Sequence, residues 1–145
     1  MVDYHDEAML PFPRQRIWQL IEAHRDPAQI GRIHPLVRNQ EVESTRADET
    51  VVLRTIDVRG ELRRSTWRLT SQPPEMFRWE ILESDGPWAE GTWLENRYSE
   101  VPGGTRIESR GKLKVSVIPF LIPQGPVIRR VLSDLDVEDA AYLKG

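Results

Sequence analysis

The sequence contains no cysteine, no long apolar run and no marked excess of either charge. Without cysteine, the 145-residue chain can form no disulfide, no thiolate metal site and no thiol nucleophile. Its 20 basic and 23 acidic residues give a formal net charge of -3, whereas a nucleic-acid-binding domain usually carries a basic patch. These absences exclude thiol chemistry and argue against a nucleic acid as partner.

Membrane and export signals are also missing. The longest apolar stretch, residues 115–122, is interrupted by Ser116 and Pro119, whereas a membrane-spanning helix needs about 20 apolar residues. The first residues are acidic and lack the basic and apolar regions of a signal peptide. We therefore expect a cytoplasmic protein with no integral membrane association.

Motifs that mark a reaction are absent as well. The sequence has no G-x-S-x-G, no H-x-x-x-H and no phosphate-binding glycine pattern. Its three histidines, His5, His24 and His34, lack ligand spacing with nearby carboxylates. We expect no metal, no cofactor and no catalytic residue that the sequence alone can name.

The first elements can be predicted from helical spacing and turn residues. At 145 residues, with no linker or repeat, we expect one domain over residues 1–145. Residues 4–10 form a possible strand, and the spacing from Ile17 to His24 predicts a helix. Asp26 as N-cap and Pro27 at the first helical position then predict a second, short helix, which Pro35 ends.

From residue 36 to residue 117 the apolar period changes to two. Turn residues at positions 47–49, 59–60, 72–74, 84–87 and 101–104 separate six strand-like segments. Each connection is short enough for a hairpin, so we predict an antiparallel sheet. In the last segment, every second residue from Thr105 through Ser109 to Val117 points to one face, which another element must cover.

A long C-terminal helix can cover that face. It begins near Gly125-Pro126 and carries one apolar stripe, whose members are Ile128, Val131, Leu132, Leu135, Tyr142 and Leu143.

Several motifs occur along this order of elements: Pro11-Phe12-Pro13 before Ile17-Trp18-Gln19-Leu20-Ile21, His34-Pro35 before the second strand, and Gly103-Gly104-Thr105-Arg106-Ile107 at the last hairpin. Together they resemble the START/SRPBCC superfamily, which includes birch-pollen-allergen-like, lipid-transfer and polyketide cyclase proteins. The resemblance implies an α+β helix-grip fold, in which a curved antiparallel sheet of about seven strands wraps around the C-terminal helix. An apolar cavity separates sheet and helix in that superfamily, and only some members are enzymes, so the fold does not determine the function.

Tryptophan is the most informative apolar residue, with five copies. Trp67 and Trp79 lie on neighbouring strands in phases that predict inward-facing rings, suited to line a cavity for apolar ligands or to fill the core. Trp88 and Trp93 would lie on opposite faces of one strand, so at most one faces inward. Tyr98 shares the phase of Trp88, which allows its hydroxyl to reach a ligand.

Asp139 is the most informative polar residue. It follows Ile128 by eleven positions, which returns it to within about 20° of the apolar stripe. An unpaired carboxylate buried there would cost several kcal/mol, so it needs a partner, and Arg54 is one candidate. Alternatively, the helix has passed the sheet rim and the carboxylate is solvated. His34 could face the mouth of the cavity or could pack or cap a helix.

Three functions are compatible with these features. The first is binding or transport of a small hydrophobic ligand (a lipid, quinone or polyketide-like molecule), with His34, Arg54, Trp67, Trp79, Trp88, Tyr98, Ser109, Leu132, Leu135 and Asp139 as its site. The second is a polyketide cyclase or dehydratase-like enzyme that uses Asp139, His34 and Tyr98 as general acid–base groups. The third is a protein-interaction module of the chaperone-activator type, which a large exposed apolar patch would indicate.

Overall fold

The structure, a computed structural model, describes residues 1–116 and 123–145. A seven-stranded antiparallel sheet has the spatial order β1-β7-β6-β5-β4-β3-β2. Its strands are β1 (Val2–Leu10), β2 (Val37–Arg46), β3 (Glu49–Val58), β4 (Glu61–Gln72), β5 (Met76–Ser84), β6 (Trp93–Val101) and β7 (Gly104–Leu113). Helices α1 (Arg14–Arg25) and α2 (Ile30–Ile33) connect β1 to β2, and α3 (Gln124–Lys144) follows β7. The predicted helix-grip architecture is confirmed.

Except before β6, the hairpins begin and end close to where the turn residues predict. The β3–β4 turn places Arg59 and Gly60 at φ 53° and 88°, the left-handed conformation that a two-residue hairpin requires. Inside β7, Gly111 lies so close to β6 that a Cβ there would overlap the carbonyl oxygen of Trp93. Side-chain alternation in β7 follows the prediction from Thr105 to Leu113, whereas Val117 lies outside the described residues.

Two helix starts differ from the sequence expectation. Regular α2 begins at Ile30 rather than at Pro27, because Asp26 caps a preceding turn instead: its Oδ1 accepts a hydrogen bond from the N–H of Ala28 at 2.8 Å. The C-terminal helix begins at Gln124, one residue before Gly125, and ends at Lys144.

The main core fills the concave side of the sheet beneath α1 and α3. Ile128 and Leu132 of α3 pack there against buried residues of the sheet such as Val52, Leu69 and Ile81. A second cluster ties the helices to one another through Leu20, Ala23, Ile33 and Leu143. In the part of the chain described here, no helix combines the length and the apolarity needed to cross a membrane. The packing of the two clusters brings the ends of all three helices close to one another.

Candidate functional site

Three polar side chains meet where the helices converge, and we name them the His–His–Asp cluster: His24, His34 and Asp139. His24 lies in the last turn of α1, His34 directly follows α2, and Asp139 lies near the C-terminal end of α3. Helical spacing places His24 on the buried stripe of α1, and Pro35 ends α2 beside His34. The fold therefore joins residues that lie far apart in the sequence.

The cluster is a nearly equilateral triangle of nitrogen and oxygen atoms. His24 Nε2 lies 3.0 Å from His34 Nε2, and Asp139 Oδ1 lies 3.2 Å from the first and 3.1 Å from the second. The side chains are only 16%, 9% and 29% exposed in the order His24, His34 and Asp139. Asp139 is thus neither fully solvated nor isolated, which answers the question that its sequence position raised.

The outer nitrogen of each imidazole faces an acceptor. His24 Nδ1 lies 2.8 Å from the carbonyl oxygen of Leu20, and a carbonyl only accepts, so the Nδ1 of His24 carries a proton. His34 Nδ1 lies 3.4 Å from Glu138 Oε1. These contacts direct the unprotonated Nε2 of neutral His24 toward the centre of the cluster.

The electrostatics of Asp139 follow from the two imidazoles. Burial alone would raise its pKa, but the close contacts with His24 and His34, and their positive charge when they are protonated, outweigh burial and lower the pKa to about 2. Asp139 is therefore a carboxylate at neutral pH.

Arg54 is not the ion-pair partner suggested for Asp139. Its guanidinium donates from Nε to Gln40 Oε1 and from a terminal nitrogen to the carbonyl oxygen of His24 at 3.0 Å. Gln40 Nε2 donates to the same carbonyl at 3.2 Å. The correction has a geometric reason: β2 and β3 direct these side chains to the end of α1, where backbone carbonyls lack helical partners. Arg54 and Gln40 therefore anchor the backbone of His24.

A row of aromatic rings lies on the concave face of the sheet. Trp67 and Trp79 have ring centroids 5.0 Å apart, and Trp79 and Trp88 are 5.5 Å apart. The guanidinium carbon of Arg54 lies 4.5 Å from the centroid of Trp67, which links this row to the end of α1. The inward direction predicted for Trp67 and Trp79 is confirmed.

Trp88 and Trp93 do not share a strand as expected, because β6 begins only at Trp93. Trp88 instead forms an isolated bridge with Val115 and is buried in the core. Trp93 packs under Arg78, whose guanidinium carbon lies 4.3 Å from its ring centroid. The conclusion that at most one of these rings faces inward still holds.

Tyr98 in β6 and Ser109 in β7 also lie on the inward face of the sheet. Tyr98 is buried, its ring contacts Trp18 edge-on with centroids 6.3 Å apart, and burial raises the pKa of its hydroxyl. Ser109 donates a hydrogen bond to Asn96 Oδ1 at 2.6 Å. Neither residue belongs to the His–His–Asp cluster.

Several inward-facing apolar side chains remain only partly buried although they pack against the core. Leu132 is buried, whereas Leu135, one turn further along α3, keeps partial exposure. Six of these partly buried residues, which we name the half-buried lining, are Tyr4, Ile56, Trp79, Ile107, Val131 and Leu135. These residues belong to the sheet and to α3, and the resemblance to the superfamily implies a cavity between the two.

Two concavities on the surface lie elsewhere. They measure about 380 and 470 Å³, and both are lined by Arg14 and Glu100. Arg14 begins α1, so these concavities lie at the opposite end of that helix from His24.

Sequence reasoning identified His34 and Asp139 but missed His24, Gln40 and Glu138. The expectation that the histidines lack carboxylate neighbours considered separation along the chain, and helix packing overturns it. One signal was present: His24 interrupts an otherwise apolar stripe at the i+4 position from Leu20, and a buried imidazole needs polar partners.

The comparisons with known proteins find likeness in structure rather than in sequence. No model of a protein family matches the chain, and no curated protein matches it either. The solved structure of Ara h 8.0201 matches with a TM-score of 0.75 and 12% identity, over 98% of this chain and 97% of that one. The di-domain ARO/CYC StfQ from the steffimycin biosynthetic pathway gives 0.74 and 12%, over 99% of this chain and 50% of its own.

A START superfamily protein from Mycobacterium smegmatis matches with a TM-score of 0.64 and 10% identity, over 97% of this chain and 92% of that protein. The resemblance to the START/SRPBCC superfamily is thereby confirmed at the level of the fold.

Proposed function

We propose that the protein binds a small, uncharged hydrophobic ligand, such as a quinone, a neutral lipid or a polyketide-like molecule, between the sheet and α3. The observation that carries this proposal is the half-buried lining. Burying apolar surface contributes roughly 25 cal/mol per Å² to the free energy of folding or binding, and the exposed parts of these inward-facing side chains do not make that contribution. A bound apolar ligand would bury that surface.

Aromatic rings within the lining favour flat ligands. Trp79 contacts Trp67 on one side and Trp88 on the other, yet it retains partial exposure. Aromatic rings attract one another in tilted or offset arrangements, each pair contributing about 0.5–1.5 kcal/mol beyond area burial. A ligand ring beside Trp79 would extend the row.

The edge of the sheet at β1 offers a route from solvent. Tyr4 pairs with Gly111 of β7, so it faces inward, and so do Asp6 and Ala8 at the next two alternate positions. Asp6 and Ala8 are exposed, which leaves this part of the concave face open.

Acidic charge at this opening selects against anions. Burial and the negative charges of Asp6 and Asp136 outweigh the positive charge of Arg129 and raise the pKa of Tyr4 to about 12. Burial and the charges of Asp139 and Asp6 likewise raise the pKa of Asp136 to about 6. A carboxylate or sulfonate entering beside Tyr4 would meet this repulsion, whereas a neutral ligand would not.

Native mass spectrometry of the freshly purified protein tests the proposal directly. We expect a co-purifying hydrophobic molecule, or uptake of supplied neutral quinone or lipid, at one molecule per chain. Two fluorescent probes with the same ring system then test the charge rule: neutral N-phenylnaphthylamine should bind severalfold more tightly than anionic anilinonaphthalene sulfonate. Equal affinities would refute the charge rule, and no binding of any neutral probe would refute ligand binding itself.

A matched pair of variants localises the site. Leu135→Trp places a large ring into the half-buried lining, and we expect at least about a tenfold loss of N-phenylnaphthylamine affinity, equivalent to 1.4 kcal/mol. Val137→Trp is the control because Val137 lies on the same helix and is 66% exposed. Equal losses in the two variants, both checked for native circular dichroism, would place the ligand elsewhere.

The second candidate is a cyclase or dehydratase-like enzyme, favoured by the contact between His34 and Asp139, two of its three suggested acid–base groups. The third group, Tyr98, has its hydroxyl pKa raised by burial, which keeps it protonated at neutral pH and makes it a poor proton donor. Incubation with a synthetic linear triketone separates the two functions. Recovery of the intact triketone from the protein supports binding alone, whereas its protein-dependent loss of one water, abolished in Asp139→Asn, supports the enzyme.

A further inference from the structure

We propose that the His–His–Asp cluster binds one divalent transition-metal ion of the zinc class. His24 Nε2, His34 Nε2 and Asp139 Oδ1 would be its ligands. This inference stands on other atoms than the proposed ligand site, so either can fail without the other.

The spacing of the three atoms fits a common metal. Their separations are 3.0, 3.1 and 3.2 Å. Ligand atoms that lie ~2.0–2.2 Å from zinc are about 3.0 Å apart at octahedral angles and about 3.4 Å apart at tetrahedral angles. An ion could therefore occupy a position just out of the plane of the triangle without a large movement of the side chains.

The hydrogen-bonding requirements of the cluster also point to a cation. With His24 Nδ1 protonated, the Nε2 of neutral His24 is a bare acceptor. If neutral His34 carries its proton on Nδ1, toward Glu138, two bare nitrogens and a carboxylate oxygen face one another. If the proton sits on Nε2 instead, the bare Nδ1 of His34 faces the Glu138 carboxylate. With both imidazoles neutral, neither arrangement gives a hydrogen-bond donor to every bare nitrogen and carboxylate oxygen of the cluster.

Two buried atoms show this deficit. Among the residues that the structure describes, Asp139 Oδ1 and His34 Nδ1 are buried without a hydrogen-bond partner of good geometry. An unsatisfied buried polar group costs about 1–3 kcal/mol. An extra proton on His34 would leave Oδ1 without a well-directed donor, whereas a metal ion would bind all three central atoms.

The outer contacts resemble those that support metal-binding imidazoles. The carbonyl oxygen of Leu20 and the carboxylate of Glu138 face the outer nitrogens of His24 and His34. Such contacts orient the rings and raise their basicity toward the ion. Two imidazoles and one carboxylate suit zinc, cobalt, iron or nickel rather than calcium or magnesium, which prefer oxygen ligands. Three protein ligands leave a coordination position for water.

The experiment uses the tag-free full chain, freed of metal with a chelator and titrated with Zn²⁺ by calorimetry. We expect one ion per chain and at least about a tenfold weaker affinity for Asp139→Asn and His34→Gln, since even loss of an outer contact costs 10–100-fold. His5→Gln is the matched control, because His5 lies on β1 with 62% of its side chain exposed, and its affinity should match the wild type.

Two results would overturn the proposal: no stoichiometric uptake by the wild type, or an equal affinity loss in the His5 control and the cluster variants. A measurement on the unmodified chain covers the case of a variant that fails to fold. In the nitrogen-15 NMR spectrum of the imidazoles, Zn²⁺ should shift the Nε2 signals of His24 and His34 and leave those of His5 unchanged. If the signals of His24 and His34 do not shift, the cluster shares protons but does not bind the metal ion, and the proposal is wrong.

Discussion

Arg54 carries a positive charge that is buried without a counter-ion in contact. The residue is 6% exposed, and in residues 1–116 and 123–145 no carboxylate oxygen lies within 4.0 Å of its guanidinium. Gln40, the carbonyl oxygen of His24 and the ring of Trp67 surround it instead. Burial lowers the pKa of Arg54 from 12.5 to about 10, although the charge of Asp139 opposes that shift.

We predict that the two partners of this contact contribute unequally to stability. Gln40→Ala removes two hydrogen bonds. The charged bond from Arg54 contributes about 1.5–3 kcal/mol, and the neutral bond to the carbonyl oxygen of His24 contributes about 1 kcal/mol. The free energy of unfolding should therefore fall by about 3 kcal/mol. R54M removes that charged bond and a second one to the carbonyl oxygen of His24, but it also removes the buried charge. The lowered pKa of Arg54 corresponds to a net penalty of about 3 kcal/mol for the buried charge, at 1.36 kcal/mol per pKa unit, and R54M removes this penalty. We therefore expect R54M to cost only about 1–2 kcal/mol.

A double-mutant cycle measures the difference. Once the charge is gone, Gln40→Ala should cost only about 1 kcal/mol, the value of its neutral bond to His24, which gives a coupling energy of about 2 kcal/mol. Urea unfolding followed by tryptophan fluorescence gives the four free energies. If Gln40→Ala costs the same with and without Arg54, the buried charge is not what Gln40 stabilises, and the reasoning is wrong.

Two further substitutions test the packing of the sheet and of α3. Gly111→Ala should lower the free energy of unfolding by more than about 2 kcal/mol, since its Cβ would overlap the backbone of Trp93. Gly86→Ala, where the nearest atom is a serine side chain at 3.4 Å, should change it by less than about 1 kcal/mol, and equal effects would contradict the close approach. Leu132→Ala should cost about 2–5 kcal/mol by opening a cavity under α3. Val137→Ala, at a side chain that is 66% exposed, should stay within about 0.5 kcal/mol, and a small cost at both positions would mean that α3 is not docked as described.

The fold could be predicted from the sequence because its signals are local. Each hairpin turn contains glycine, proline or acidic residues, and each strand alternates over its own length, so most bounds of the six strands follow from neighbouring residues. The exceptions are also local in origin. Trp88 has the phase of the β6 residues, but alternation does not show that the strand begins only at Trp93. Helical spacing equally does not show that the turn capped by Asp26 precedes regular α2.

The candidate site was only partly predictable because its geometry depends on how the helices pack. Periodicity placed Asp139 near the apolar stripe of α3, but it left open whether the carboxylate is buried beside a partner or solvated beyond the rim of the sheet. The identity of that partner depends on where the ends of α1 and α2 meet α3, which no spacing within one helix determines. His24 and His34 supply the contacts, while Arg54 caps the end of α1.

The two proposals meet on one face of α3. Leu135 and Asp139 are separated by one helical turn, so their Cβ atoms lie about 5–6 Å apart on the same side of the helix. A ligand in contact with Leu135 would therefore end close to the carboxylate, with the aromatic row on its other side. In this arrangement apolar surface supplies the attraction for the ligand, and the cluster supplies the polar group nearest to it. An oxygen of the ligand, if it has one, would accordingly be directed toward Asp139 and away from Trp79.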